Sequence, residues 1–170
     1  LAATYARNRL SARFTLPTMP VEDYPTLPEL PASAGTVEAS VFAAAVAQVA
    51  MAAGRDETLP MMTGVRVELT GDSLALLATD RYRLAVREIS WNPNDPDINT
   101  NALVPARTLA DTAKTLGPLG GEVTIALGGS GAGEGMIGFV GGTRRTTSRL
   151  LDGQSYPPVR SLFAPTYSSE

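Results

Sequence analysis

The sequence contains no cysteine and no histidine among its 170 residues. The first absence excludes disulfides, thiolate metal sites and cysteine nucleophiles. The second removes the commonest general base, the commonest metal ligand, and the Ser-His and Cys-His nucleophile systems. Carboxylates remain, but no pair stands at a spacing that suggests acid–base work. Lysine is nearly absent too: Lys114 is the only one, and the other cations are arginines. No apolar run is long enough to span a bilayer, and the N-terminus lacks the layout of a signal peptide. The net charge is −3, so any contact with a polyanion must be local.

What is present suits a globular domain, with 44% apolar and 18% charged residues. The length allows one good domain, or one domain plus pieces of its neighbours. The chain does not begin with Met and its first residues read as mid-domain sequence. A piece of a longer protein is therefore expected.

Residues 1–10 show no clear pattern, and Arg13 to Leu16 reads as a short strand. Pro17, Pro20, Pro25, Pro28 and Pro31 then mark an extended connector, because proline donates no ladder hydrogen bond and restrains the residue before it. A weak strand around Val37 leads to a helix over Val41 to Ala53, with Ser40 as the expected N-cap and Gly54 as the stop. Phe42, Val46 and Val49 share one face of it. Three strands follow, Gly64 to Leu69, Ser73 to Thr79 and Tyr82 to Ile89. In the first of them Val65, Val67 and Leu69 point inward and Arg66 and Glu68 outward.

After a turn-rich connector at Asn92 to Asp97 the pattern begins again. A strand at Ala102 to Val104 precedes a helix over Arg107 to Leu116, and strands are expected at Glu122 to Leu127, Gly135 to Val140 and Thr143 to Leu151. At an offset of 67 residues Phe42 falls on Leu109, Val46 on Ala113 and Val49 on Leu116. Two strand-helix-three-strand units predict an α+β domain, with antiparallel sheets and both helices on one side. A second offset, of 132, places Arg13 on Arg145, Thr15 on Thr147, Tyr24 on Tyr156, Pro25 on Pro157 and Leu30 on Leu162. That period is about one domain long.

Several motifs carry little. The Gly-rich stretch Gly128 to Gly135 lacks a Gly-Lys-Ser/Thr ending and precedes a strand, so it reads as a hairpin loop. Arg144, Arg145 and Arg149 read as a solvated strand surface, and Trp91 as cover for a sheet edge. Asp95 and Asp97 read as turn formers rather than calcium ligands. The stretch Ala78 to Val86 is different. It sets Asp80, Arg81, Tyr82 and Arg83 between two apolar strands, where Asn-Gly or Gly-Gly would reverse the chain more simply. A charged, solvated hairpin end and a functional turn both fit these residues. An enzyme using Asp80 with Arg81 or Arg83, and a generic α+β interaction domain, also stay open.

Arg13-Phe14-Thr15-Leu16-Pro17, Asp23-Tyr24-Pro25, Thr79-Asp80-Arg81-Tyr82-Arg83-Leu84-Ala85-Val86, and Leu151-Asp152-Gly153 with Tyr156-Pro157 resemble the bacterial DNA polymerase III beta subunit, the sliding clamp. The resemblance covers residues 11 to about 168. It implies a DNA-clamp fold: residues 1–33 end a first domain, 34–165 form a complete middle domain, and 166–170 begin a third. It implies a non-catalytic, cytoplasmic processivity factor without cofactor or metal. The full-length protein would be a ring-shaped homodimer around double-stranded DNA, whereas this chain alone would not close a ring. Partners would be the replicative polymerase, the clamp loader and repair proteins, each docking through a short peptide. Thr79, Arg81, Tyr82, Arg83 and Leu84 would form one wall of that cleft, with Leu59 and Met62 as apolar floor and Pro165 alongside. Arg55, Arg107 and Lys114 would face the DNA. Arg81 and Tyr82 depart from the residue types associated with other bacterial clamps, which points to altered local specificity.

Overall fold

A computed structural model describes residues 3–7, 10–14, 17–25, 29–128 and 135–160; for 3–7 and 10–14 only the backbone is described. Strands β1 (Ala3–Arg7) and β2 (Leu10–Phe14) pair as an antiparallel hairpin. β1 lies in the stretch whose sequence shows no pattern.

The first unit comprises β3 (Ser33–Glu38), α1 (Ala39–Ala50), β4 (Gly64–Thr70), β5 (Ser73–Thr79) and β6 (Leu84–Ser90). A two-residue strand, β7 (Asn92–Pro93), follows it. The second unit comprises β8 (Asn99–Pro105), α2 (Ala106–Leu116), β9 (Glu122–Gly128), β10 (Met136–Gly141) and β11 (Arg144–Arg149). The two helices begin at an offset of 67 residues, with Glu38 and Pro105 as their N-caps.

The units do not form separate sheets. One sheet runs β11-β10-β9-β3-β7 and the other β6-β5-β4-β8. Each sheet therefore joins the opening strand of one unit to the three-strand meander of the other. All these pairings are antiparallel. Neither unit can complete its sheet alone, so the domain closes as a whole.

Both helices cover the inner sheet faces, and they share one core with those faces. Phe42, Val46 and Val49 of α1 and Leu109, Ala113 and Leu116 of α2 are each at most 2% exposed. The Phe42 and Phe139 rings lie 5.7 Å apart between centroids and join the first helix to the second unit's meander. Strand β5 is buried on both faces, which explains its unbroken apolar run. Leu74, Leu76 and Ala78 enter the main core, while Ala75 and Leu77 enter a second cluster on the outer face with Leu103, Tyr156 and Val159.

Three local expectations change. The cap of α1 is Glu38, not Ser40: its carboxylate accepts from the Ser40 and Val41 N–H groups at 2.9 and 3.0 Å, and from the Ser40 hydroxyl. These three donors, the Ser40 N–H first, hold Glu38 below the usual carboxylate range. Trp91 is core rather than edge cover: it is 4% exposed, donates from its indole N–H to the Gly71 carbonyl, and packs against Gly35. A Cβ at Gly35 would fall 2.6 Å from the indole ring, so only glycine admits this approach. Strand β6 begins at Leu84 rather than Tyr82, because the turn before it consumes Tyr82 and Arg83.

Residues 129–134 of the glycine-rich stretch lie outside the described residues. The flanking strands β9 and β10 pair antiparallel. Asp95 accepts from the Asp97 N–H, as a turn former does. No described helix is long and apolar enough to cross a membrane.

Candidate peptide-binding site

The turn Thr79–Leu84 is tied together by its own side chains. Asp80 Oδ1 accepts from the N–H groups of Tyr82 and Arg83, each at 3.1 Å, and Oδ2 accepts from Arg83 Nε at 3.0 Å. Thr79, 5% exposed, donates its hydroxyl to the Arg83 carbonyl at 2.8 Å and accepts from the Arg81 N–H. Burial opposes ionisation of Asp80. The Arg83 and Tyr82 N–H groups and the Arg83 guanidinium outweigh it and hold the carboxyl below its ordinary range. Arg81 sits at φ 78°, the only described non-glycine residue in the left-handed region. The outcome is a rigid turn that leaves Tyr82 92% exposed.

Beside the turn lies a cleft of 640 Å³. Leu59 and Met62 line it from one side, Asp80 to Arg83 from the other, and Arg55 and Asp56 also border it. Met62 is positioned by a short 3-10 turn, Pro60–Thr63, whose Met62 carbonyl accepts from the Gly54 N–H at 2.7 Å. Asp56 stabilises the approach by accepting from the Thr58 hydroxyl and N–H. Those two bonds lower its pKa against the effect of burial, and the charge of Arg81 lowers it further.

The structure thus brings together Leu59, Met62, Arg81, Tyr82 and Arg83. Thr79 serves the same site from beneath the turn. Leu84 stands apart from this cleft. It is half-buried on the outer sheet face, packed with the cluster that includes Tyr156 and Met61. Met61 escaped the sequence reading because a 3-10 turn sends adjacent methionines to different surroundings. The Tyr156 contact was also missed, although Tyr-Pro at a strand exit was its available signal. Pro165 lies outside the described residues.

Tyr156 anchors the outer face. Its hydroxyl donates to the Leu77 carbonyl at 3.3 Å, and its ring lies 5.8 Å from the Arg66 guanidinium carbon. Burial pushes its pKa up to about 12 against the opposing charge of Arg66. Glu68 sits between Arg66 and Arg160 and pairs with both. The Arg66 Nε–H is not aligned on the Glu68 oxygen 2.9 Å away, so that contact is an ion pair without a hydrogen bond.

The family model described as "DNA polymerase III beta subunit, central domain" matches residues 36–158. The chain belongs to the DNA polymerase III beta subunit family. It is 60% identical over 159 residues to the beta sliding clamp of Streptomyces coelicolor, covering 94% of this chain and 42% of that relative. It superimposes on the Bacillus subtilis DNA polymerase sliding clamp with a TM-score of 0.78 at 25% identity, covering 96% of this chain and 41% of that one. The Pseudomonas aeruginosa sliding clamp bound to griselimycin gives a TM-score of 0.77 at 27% identity, with 96% and 42% covered. The chain spans less than half the length of the curated relatives it matches.

Within this clamp-family domain the three expected DNA-facing cations are all exposed. Arg107 and Lys114 are seven residues apart on α2 and share its solvent face with Asp111. Arg55 follows α1 and borders the cleft beside the Thr79–Leu84 turn as well as a second cleft with Arg107. The exposed positions of α1, such as Val41, Ala44, Ala47 and Gln48, carry no charge.

Proposed function

We propose that the chain is the central part of a bacterial sliding clamp. The parent protein is a non-catalytic, cytoplasmic processivity factor that encircles duplex DNA and tethers the replicative polymerase, the clamp loader and repair proteins. Residues 1–33 end its first domain, 34–165 form its middle domain, and 166–170 enter its third. Two parent chains close the ring, and this chain alone does not.

The observation that carries the tethering role is the Thr79–Leu84 turn. It is rigidly hydrogen-bonded yet presents Arg81, Tyr82 and Arg83 to a cleft with an apolar floor. Such a surface takes the hydrophobic anchors of an extended peptide, and its arginines and backbone groups fix the polar ends. Methionine in the floor lets it repack for different partners. The names of the relatives support the same reading. On the helix side, sparse cations on α2 and an uncharged α1 face suit weak phosphate contacts. Weak contacts permit sliding when topology supplies the residence on DNA.

The enzyme reading finds less support, because both oxygens of Asp80 are engaged by the turn itself. The test is binding of a polymerase-derived clamp-motif peptide to the parent protein, with and without Arg83→Ala and Met62→Ala, both of which line the cleft. Both substitutions are expected to weaken binding about tenfold or more, the scale of a truncated interface anchor. Unchanged affinity in both refutes the site. Failure of the parent to load onto circular DNA refutes the clamp.

A further inference from the structure

The connector before the domain exposes apolar side chains without cover. Met19 is 65% exposed, Val21 87% and Tyr24 67%, and with Pro17, Pro20 and Pro25 they line a shallow apolar surface. The chain also contains the same connector a second time, in a setting where its cover is visible. At the offset of 132 residues, Met19 corresponds to Leu151, Tyr24 to Tyr156 and Pro25 to Pro157. Leu151 and Tyr156 belong to the outer-face cluster with Ala75, Leu77 and Leu103. Tyr156 is 6% exposed there and its hydroxyl is bonded to β5, an inner strand of the sheet. The strands before the two connectors match as well. β1–β2 and β10–β11 are both antiparallel pairs, and each connector follows the second strand of its pair.

We infer that Tyr24 and Met19 dock on the outer sheet face of the preceding clamp domain of the same polypeptide, as Tyr156 and Leu151 dock on this one. The inference rests on the proposed first domain, of which β1–β2 is the last hairpin. The occupant of the apolar connector is therefore intramolecular. Tyr24 buries its ring on that domain and donates its hydroxyl to a main-chain carbonyl of an inner strand of that domain's sheet. Each linker thus fastens to the domain it leaves before it enters the next. A ring built from such domains gains angular stiffness at its joints, since a linker held along its length cannot act as a free hinge.

Hydroxyl-radical footprinting of the parent protein tests this, with Tyr82 as the exposed reference and Tyr156 as the buried one. In this 170-residue chain Tyr24 should react about tenfold faster than Tyr156, the ratio of their exposures of 67% and 6%. In the parent, Tyr24 should fall to the rate of Tyr156, and Met19 should resist peroxide oxidation. Tyr24→Ala in the parent should restore the oxidation of Met19. A parent in which Tyr24 reacts as fast as Tyr82 overturns the proposal. So does protection in this chain that appears only at high concentration, which assigns the surface to a second copy. Loading of the parent onto circular DNA reports the clamp function separately, so a clamp that loads with a reactive Tyr24 refutes the docking alone.

Discussion

Arg83 closes the Thr79–Leu84 turn on Asp80 twice, once through its backbone N–H at 3.1 Å and once through its guanidinium at 3.0 Å. The site is consequently held by a carboxylate that must be ionised. Asp80, Asp56 and Glu38 all have pKa values lowered by hydrogen bonds in the folded state. The unfolded chain, with ordinary values of about 4, binds protons more readily at these groups. Their contribution to stability is present above that range and disappears as pH falls through the folded values. Asp80→Asn should therefore lower the urea midpoint at pH 7, with the difference from the unsubstituted protein shrinking below about pH 4. A difference that stays constant to pH 2 would show that the charge of Asp80 does not stabilise the turn.

Arg81 holds a left-handed backbone conformation that disfavours side chains. Arg81 lines the cleft with Tyr82 and Arg83. Arg81→Gly should relieve the strain and stabilise the domain by about 1 kcal/mol in urea titration, less whatever glycine adds to unfolded-chain entropy. The same substitution should weaken the peptide. Stability and binding moving in opposite directions is the expected mark of a residue kept for its side chain.

Tyr82 and Leu84 separate exposure from packing. Tyr82 is 92% exposed, so Tyr82→Ala should change stability by less than about 0.5 kcal/mol. Leu84 packs against the outer-face cluster, and Leu84→Ala should cost about 1–2 kcal/mol. Calorimetric unfolding of both variants checks the contrast. A Tyr82→Ala protein as destabilised as Leu84→Ala would place Tyr82 in a packing role.

The periodicities made much of this architecture legible. Phe42, Val46 and Val49 marked α1 by their helical spacing, and Val65, Val67 and Leu69 marked β4 by alternation. The doubled unit followed from the match of the two helix faces. The exchange of β3 and β8 between the sheets was not legible, because strand pairing is a long-range choice and the local pattern of a strand does not name its neighbour. In the site, Arg81, Tyr82 and Arg83 were conspicuous as long side chains in a turn. Met61 and Tyr156 were not, since Met61 depends on the geometry of a 3-10 turn and Tyr156 on a contact 79 residues away in sequence. Glu38 was passed over as a cap because Ser40 is a commoner capping type, yet the longer carboxylate reaches both free N–H groups.

Tyr156 should be visible spectroscopically. The chain has five tyrosines, and burial raises the pKa of Tyr156 to about 12. A phenol whose folded pKa lies above its unfolded value stabilises the fold fully below the unfolded value near 10, and that contribution is lost as pH rises through the folded value. Absorbance at the phenolate band should therefore show a late ionisation near pH 12 that is missing in Tyr156→Phe. The substitution also removes the hydrogen bond to the Leu77 carbonyl, at a cost of about 0.5–1.5 kcal/mol at pH 7. Because Phe cannot ionise, the alkaline limb of its stability curve should be flatter than that of the unsubstituted protein. A Tyr156→Phe protein that retains the late ionisation would assign it to another tyrosine and remove the basis for an anchored outer face.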